Sequence, residues 1–188
     1  MQAQDSTSTY KAIYGVDSGA GIEGAVAGSL SNHNFILRTN NTERARITSG
    51  GEVYIAGTTD QGAYNLQVNG TGVWGAGAYV NGSDERLKDN IQTLNDGLAV
   101  VSQLRPVTFQ YKPEHSKDQS VQPGFIAQEL QQAMDGKAYL DGVVQSGPEY
   151  LNVAYQNLIP ILTKAIQEQQ ALITSLTARV AALEGTQP

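Results

Sequence analysis

The chain has 188 residues, a length that suits one or two domains. Its net charge is −6 with no basic run, a poor match to nucleic-acid phosphates. It contains no cysteine, which excludes disulfides and thiolate metal sites. Hydrophobic residues make up 40%, with three Phe and one Trp. That is thin for one compact core and points to burial shared between subunits. No apolar run reaches the ~18 residues of a membrane span. The first residues show neither the basic start nor the apolar stretch of a signal peptide. His33 and His115 lie far apart without metal-ligand spacing, so both read as surface or packing residues. No cofactor is implied.

Residues 1–9 are polar and expected to be loose. Residues 10–82 read as short strands broken by turns. Tyr10–Gly15, Gly24–Gly28, His33–Thr39, Arg44–Thr48, Glu52–Ala56 and Tyr64–Val68 are the strand-like pieces. Asn40-Asn41 stops the third, Ser49-Gly50-Gly51 turns the chain, and Asn69-Gly70 is a tight-turn signal. These strands are too short, and carry too few apolar side chains, to build a core alone. Fourteen glycines among the first 82 residues suggest backbones in close approach. Three chains wrapped into a β-shaft would satisfy both features; a small independent β-sandwich is the alternative.

The composition changes at Gly82-Ser83. All six prolines and twenty charged residues lie after it. Ile91, Leu94, Leu98, Val101 and Leu104 recur at helical spacing, with Asn95 or Asp96 as cap and Arg105-Pro106 as the stop. Val107–Tyr111 alternates as a strand, and 113–123 reads as a polar loop. Phe125–Met134 is expected to be helical. Ala138–Leu140, Gly142–Gln145 and Glu149–Val153 read as short strands. A long helix is expected over about 154–184, with Pro160 in its first turn.

That helix carries a heptad seam. Ile166, Ile173 and Val180 take one position; Leu162, Gln169, Leu176 and Leu183 take the other. The pattern spans about three heptads of coiled coil. β-branched residues at the first position with leucine at the second favour a dimer in a free parallel coil. The Gln169 layer and the shaft both suit a wider bundle. An amphipathic helix packed on its own domain is the alternative.

The junction reads Gly82-Ser83-Asp84-Glu85-Arg86-Leu87-Lys88-Asp89-Asn90-Ile91. Serine is a weak nucleophile until a base takes its proton. A lysine is such a base only when neutral. Its ordinary pKa is about 10.4, so burial or a neighbouring cation has to favour the neutral amine. Arg86 is the candidate neighbour. On a regular helix Ser83 and Lys88 would stand about 140° apart. Residues 83–85 are therefore expected to be a turn or extended, with Lys88 folding back. Local sequence alone favours Ser83 or Asp84 as a helix cap, with Arg86 and Lys88 on a solvated face.

Ser-Asp-x-Arg-Leu-Lys-x-Asn-Ile is followed by Leu-Arg-Pro-Val-x-Phe-x-Tyr at 104–111 and Gly-Phe-Ile-Ala-Gln-Glu at 124–129. With the terminal amphipathic helix, these blocks resemble the intramolecular chaperone auto-processing domain that ends phage tail spikes, endosialidases and tail fibres. The resemblance covers about 83–184; the segment 135–150 offers no anchor. It implies an α+β fold. A trimeric glycine-rich β-shaft at 1–82 would precede a mixed helical and β-hairpin domain at 83–188, ending in the coiled-coil helix. It implies a Ser83–Lys88 dyad that cuts once between Gly82 and Ser83. Ser83 would attack the Gly82 carbonyl and water would resolve the ester; an N→O acyl shift leads to the same products. The implied partners are two further copies of the chain and its own shaft as folding client. The implied location is a virion tail, with the chaperone acting in the host cytoplasm during assembly. A retained, uncut trimerisation module is one competing reading. A fibre tip that binds a host surface receptor, with Trp74 and Tyr79 as stacking residues, is the other.

Overall fold

The computed structural model describes residues 2–4, 11–17, 24–70 and 72–185. The chain divides into two compact units, 1–74 and 75–188.

In the first unit, β1 (Gln2–Gln4), β2 (Lys11–Asp17) and β3 (Gly24–Ser29) form an antiparallel sheet. Gln2–Gln4 was expected to be loose and instead pairs with Lys11–Ile13. The rest of the expected loose start, and Tyr10 of the first strand, lie outside the described residues.

A second sheet takes β4 (Phe35–Thr39), β5 (Thr42–Ile47), β6 (Val53–Ile55) and β7 (Leu66–Val68) in that order. Asn40 and Asn41 both adopt positive φ, 49° and 54°. That is the two-residue hairpin turn whose twist matches the strands it joins. Asn69-Gly70 closes no such hairpin. β7 runs parallel to β6, and the Asn69 N–H extends that ladder to the Ile55 carbonyl at 2.9 Å.

Register gives this sheet two unlike faces. Phe35, Ile47, Val53 and Leu66 align in one row, and Leu37, Ala45, Ile55 and Val68 in the next row of the same face. This face is apolar, yet Leu66 is 59% and Leu37 53% exposed. On the other face Tyr54 and Gln67 are buried. Gln67 accepts the Gln61 N–H at 2.7 Å and donates to Asp60 and the Gly62 carbonyl. Burying that amide costs little because its hydrogen bonds are made.

The second unit begins with a 3-10 turn, Glu85–Leu87, followed by α1 (Gly97–Val101). β8 (Val107–Phe109) and β9 (Gln122–Gly124) form a hairpin. Then come α2 (Ala127–Ala133), α3 (Leu140–Val143), β10 (Val144–Ser146) and β11 (Leu151–Val153). A 3-10 turn, Tyr155–Asn157, leads into the 27-residue α4 (Leu158–Glu184). Val100, Leu130, Met134, Val143, Val144, Leu158 and Ile161 make the core.

Several expectations are corrected. The first helix was expected to reach Leu104 but ends at Val101, where Gln103 and Leu104 make tight bonds to Val100 and Val101. Gln122 and Pro123, the end of the expected polar loop, instead form with Gly124 a strand opposite Val107–Phe109. That hairpin has only two strands, so both are edges, where a proline is tolerated. Ala138–Leu140 was expected to be a strand. The chain instead enters α3, which buries Val143 three residues after Leu140. Phe125 and Ile126, expected at the start of the helix, precede α2 instead, and Ile126 is exposed.

α4 begins by packing on α1, with Leu158, Ile161 and Ala165 buried. Gly97 is needed at that contact. A Cβ there would lie 2.5 Å from the Ala165 nitrogen and 2.7 Å from the Ile161 carbonyl oxygen. The heptad residues Leu162, Ile166, Gln169, Ile173, Leu176, Val180 and Leu183 are all solvent-exposed. No described helix is long and apolar enough to cross a membrane.

Candidate functional site: the Ser83–Lys88 turn

Asp84 builds the local geometry. Its backbone is extended, and its carboxylate accepts the Arg86 N–H at 2.9 Å, capping the 3-10 turn. The Leu87 N–H donates to the Asp84 carbonyl and the Lys88 N–H to the Glu85 carbonyl, each at 3.0 Å. Lys88 then leaves the turn in an extended conformation. The reversal brings Lys88 Nζ to Ser83 Oγ, donating at 2.7 Å. Residues five apart thus meet because they flank a turn, which a continuous helix would not allow. Both are exposed in the single chain, as is Gly82.

Arg86, the cation expected beside Lys88, pairs with Asp84 instead. Its guanidinium reaches both carboxylate oxygens, at 2.9 and 2.8 Å. Arg86, through its side chain first and its backbone N–H second, pulls the Asp84 carboxyl down to about 2. The turn therefore keeps its cap throughout the neutral range.

Gly82 sits against the same turn: a Cβ there would lie 3.3 Å from Leu87 Cδ1. Ahead of it, Asn81 Nδ2 donates to Gln156 Oε1 at 3.2 Å. This contact joins residues 75 apart, and no local sequence signal announces it. Trp74 and Tyr79, the candidate stacking residues, are 90% and 68% exposed. The His115 ring packs edge-on against Tyr150, and His33 Nδ1 bonds Ser31 Oγ.

The sequence blocks that follow the turn are joined in space. Arg105, of the Leu-Arg-Pro block, holds both carboxylate oxygens of Glu129, the last residue of Gly-Phe-Ile-Ala-Gln-Glu. The glycine of that block is required sterically. A Cβ on Gly124 would lie 2.5 Å from Tyr155 Oη and 2.8 Å from the Phe109 ring. The Phe125 N–H donates to that same hydroxyl at 3.0 Å, and its ring stacks on Tyr155. Asp96 does not bond the amides of α1. Its carboxylate takes Lys137 Nζ at 2.5 Å and Tyr139 Oη at 3.0 Å. Lys137 first, then Tyr139, hold the Asp96 carboxyl below its ordinary range.

The Ser83 hydroxyl and the Lys88 amine thus meet on one turn, ahead of a body whose sequence blocks are joined to one another. Residues 83–138 match the family described as chaperone of endosialidase, of the peptidase S74 type, which supports an intramolecular chaperone domain in this part of the chain.

Proposed function

We propose that this chain is the C-terminal intramolecular chaperone of a phage tail fibre or tail spike. Residues 83–188 hold three chains together through the α4 seam while the β-rich segment 1–82 finds its register. The domain then releases itself by cutting between Gly82 and Ser83. The contact of Ser83 Oγ with Lys88 Nζ at 2.7 Å is the observation that carries this reading.

With the amine neutral, the contact runs the other way and Ser83 O–H donates to Lys88. Ser83 Oγ attacks the Gly82 carbonyl carbon, and Lys88 takes the hydroxyl proton. The ester bond forms as the Gly82–Ser83 amide breaks, and the proton passes to the freed Ser83 nitrogen. Water then hydrolyses the ester. Each site acts once. Packing of neighbouring subunits over this exposed turn would supply the desolvation that favours a neutral amine.

Two exposed apolar surfaces support the trimer. One is the seam Leu162, Ile166, Gln169, Ile173, Leu176, Val180, Leu183; the other is the Leu37–Leu66 sheet face. Interwoven strands from separate chains pair slowly, because the entropy of alignment is lost before burial repays it. A coil joining the C-termini raises their effective concentration. The virion tail is the location this role requires, with assembly in the host cytoplasm.

A retained, uncut clamp is the second reading, favoured by the solvent exposure of Ser83 and Lys88 in the isolated chain. Intact mass of the denatured protein separates the two, with wild type beside Ser83→Ala and Lys88→Ala. Self-cleavage yields fragments of 82 and 106 residues from wild type and one full-length chain from each variant. One uncut mass from wild type leaves the clamp. A cut at another bond, or cutting by Lys88→Ala, removes the dyad.

A further inference from the structure

The three residues of the 3-10 turn at the foot of α4 each hold a different segment. Tyr155 Oη accepts the Phe125 N–H at 3.0 Å, and its ring stacks on Phe125. Asn157 Nδ2 donates to the Gly142 carbonyl at 2.6 Å. Gln156, between them, accepts from Asn81 Nδ2 at 3.2 Å. The Ala154 N–H, just ahead, is fixed to the Val143 carbonyl at 2.8 Å. Gln156 is thus carried on a turn tied on both sides to the body of the domain. The residue it grips lies immediately before Gly82.

The chain between Asn81 and Ser83 has no secondary structure, and Gly82 adds the freest backbone of any residue. Rotation about the Ser83 N–Cα bond swings the Gly82 carbonyl relative to the Ser83 hydroxyl, and it carries Asn81 along. Two contacts act on this segment: Leu87 beneath Gly82, and Gln156 at Asn81.

We propose that Gln156 is a positioning residue for the cut. It clamps Asn81 and so fixes the Gly82 carbonyl against Ser83. Position 81 is thereby a specificity position, requiring a side chain that bonds the Gln156 amide. Because Gln156 lies in the 3-10 turn that leads into α4, the clamp also ties the scissile segment to the helix that carries the seam. The inference rests on the self-cleaving reading above.

The test is a cycle of variants in the full chain, followed as the first-order rate of fragment appearance. Asn81→Ala and Gln156→Ala each slow cutting about fivefold, the effect of one solvent-exposed hydrogen bond. The double variant is no slower than either single. Gln156→Glu keeps an acceptor for the Asn81 amide and cuts faster than Gln156→Ala. Asn81→Asp likewise cuts faster than Asn81→Ala, because the Gln156 amide then donates. Asn81→Asp combined with Gln156→Glu sets two carboxylates against each other and cuts slowest. A purely structural role for either residue would not produce that pattern. Additive alanine effects, or equal rates throughout, overturn the clamp.

A second readout does not need cutting. In the Ser83→Ala background, Gln156→Ala speeds hydrogen exchange across residues 79–84 while the α4 amides stay protected. Unchanged exchange overturns the clamp whether or not the wild type cuts. A wild type that never cuts, but shows this exchange response, overturns the peptidase reading and supports the Asn81–Gln156 contact.

Discussion

The Leu98 N–H donates to the Glu168 carboxylate at 2.8 Å, so a side chain on α4 caps the first turn of α1. The local candidate, Asp96, is engaged with Lys137 and Tyr139 instead. Glu168 also lies 3.7 Å from Lys164 one turn earlier, which helps orient it. Glu168→Ala is expected to cost about 1 kcal/mol, the usual worth of a helix cap. Gly97→Ala, at the same junction, is expected to cost about 1–3 kcal/mol or more, because the added methyl meets backbone rather than a movable side chain. Denaturant unfolding of both variants checks this. A Gly97→Ala protein as stable as wild type would contradict the close approach of α1 to α4.

Leu130 and Phe125 should separate clearly in their cost. Leu130 is 1% exposed, and truncation to alanine should cost about 2–5 kcal/mol. Phe125 is only partly buried at the margin of the core. Phe125→Ala should therefore cost less than the about 3–5 kcal/mol of a fully buried phenylalanine. Both variants should lower the yield of folded assembly without touching the Ser83–Lys88 contact. Equal unfolding midpoints for the two would contradict the ranking.

The Asp96 carboxyl gives the domain an acid limit. Lys137, and secondarily Tyr139, hold it below its usual value of 3.8 in the folded chain. Its contribution to stability is therefore fully present above that value and is lost as pH falls through the folded value. Asp96→Asn should flatten this part of the acid limb in unfolding titrations from pH 7 down to pH 2. Tyr139→Phe should weaken it less, since the lysine contact remains. An acid limb unchanged in Asp96→Asn would show that other carboxylates govern it.

Assembly is testable at Ile173. The side chain is 50% exposed in the single chain and lies mid-seam. Ile173→Asp should shift the light-scattering mass from trimer towards monomer by placing charge where the coil would bury it. It should leave unit-level folding intact, because the α1 contact of α4 lies at Leu158, Ile161 and Ala165. A monomeric wild type would remove the trimer from the proposal.

Several features were legible in the sequence because they depend on neighbours along the chain. Ser83 and Lys88 are five residues apart, and the Asp84-capped turn that joins them is local chemistry. The Asn40-Asn41 turn and the long helix were readable for the same reason. One needs only two residues tolerant of positive φ, and the other repeats its pattern over about three heptads of a 27-residue helix. The blocks at 83–91, 104–111 and 124–129 were visible as a family pattern, although not the reasons for their residues. Only the tertiary structure shows that Gly124 makes room for Tyr155, or that Arg105 pairs with Glu129. It alone decided that 140–143 is a helical turn, since a short apolar run suits either geometry until a core selects one. It also chose Glu168 over Asp96 as the cap of α1, and put Gln156 beside Asn81. The Leu98–Glu168 and Asn81–Gln156 pairs lie 70 and 75 residues apart. Such contacts follow from how helices and turns dock, and single residues at that separation leave no periodicity in the chain.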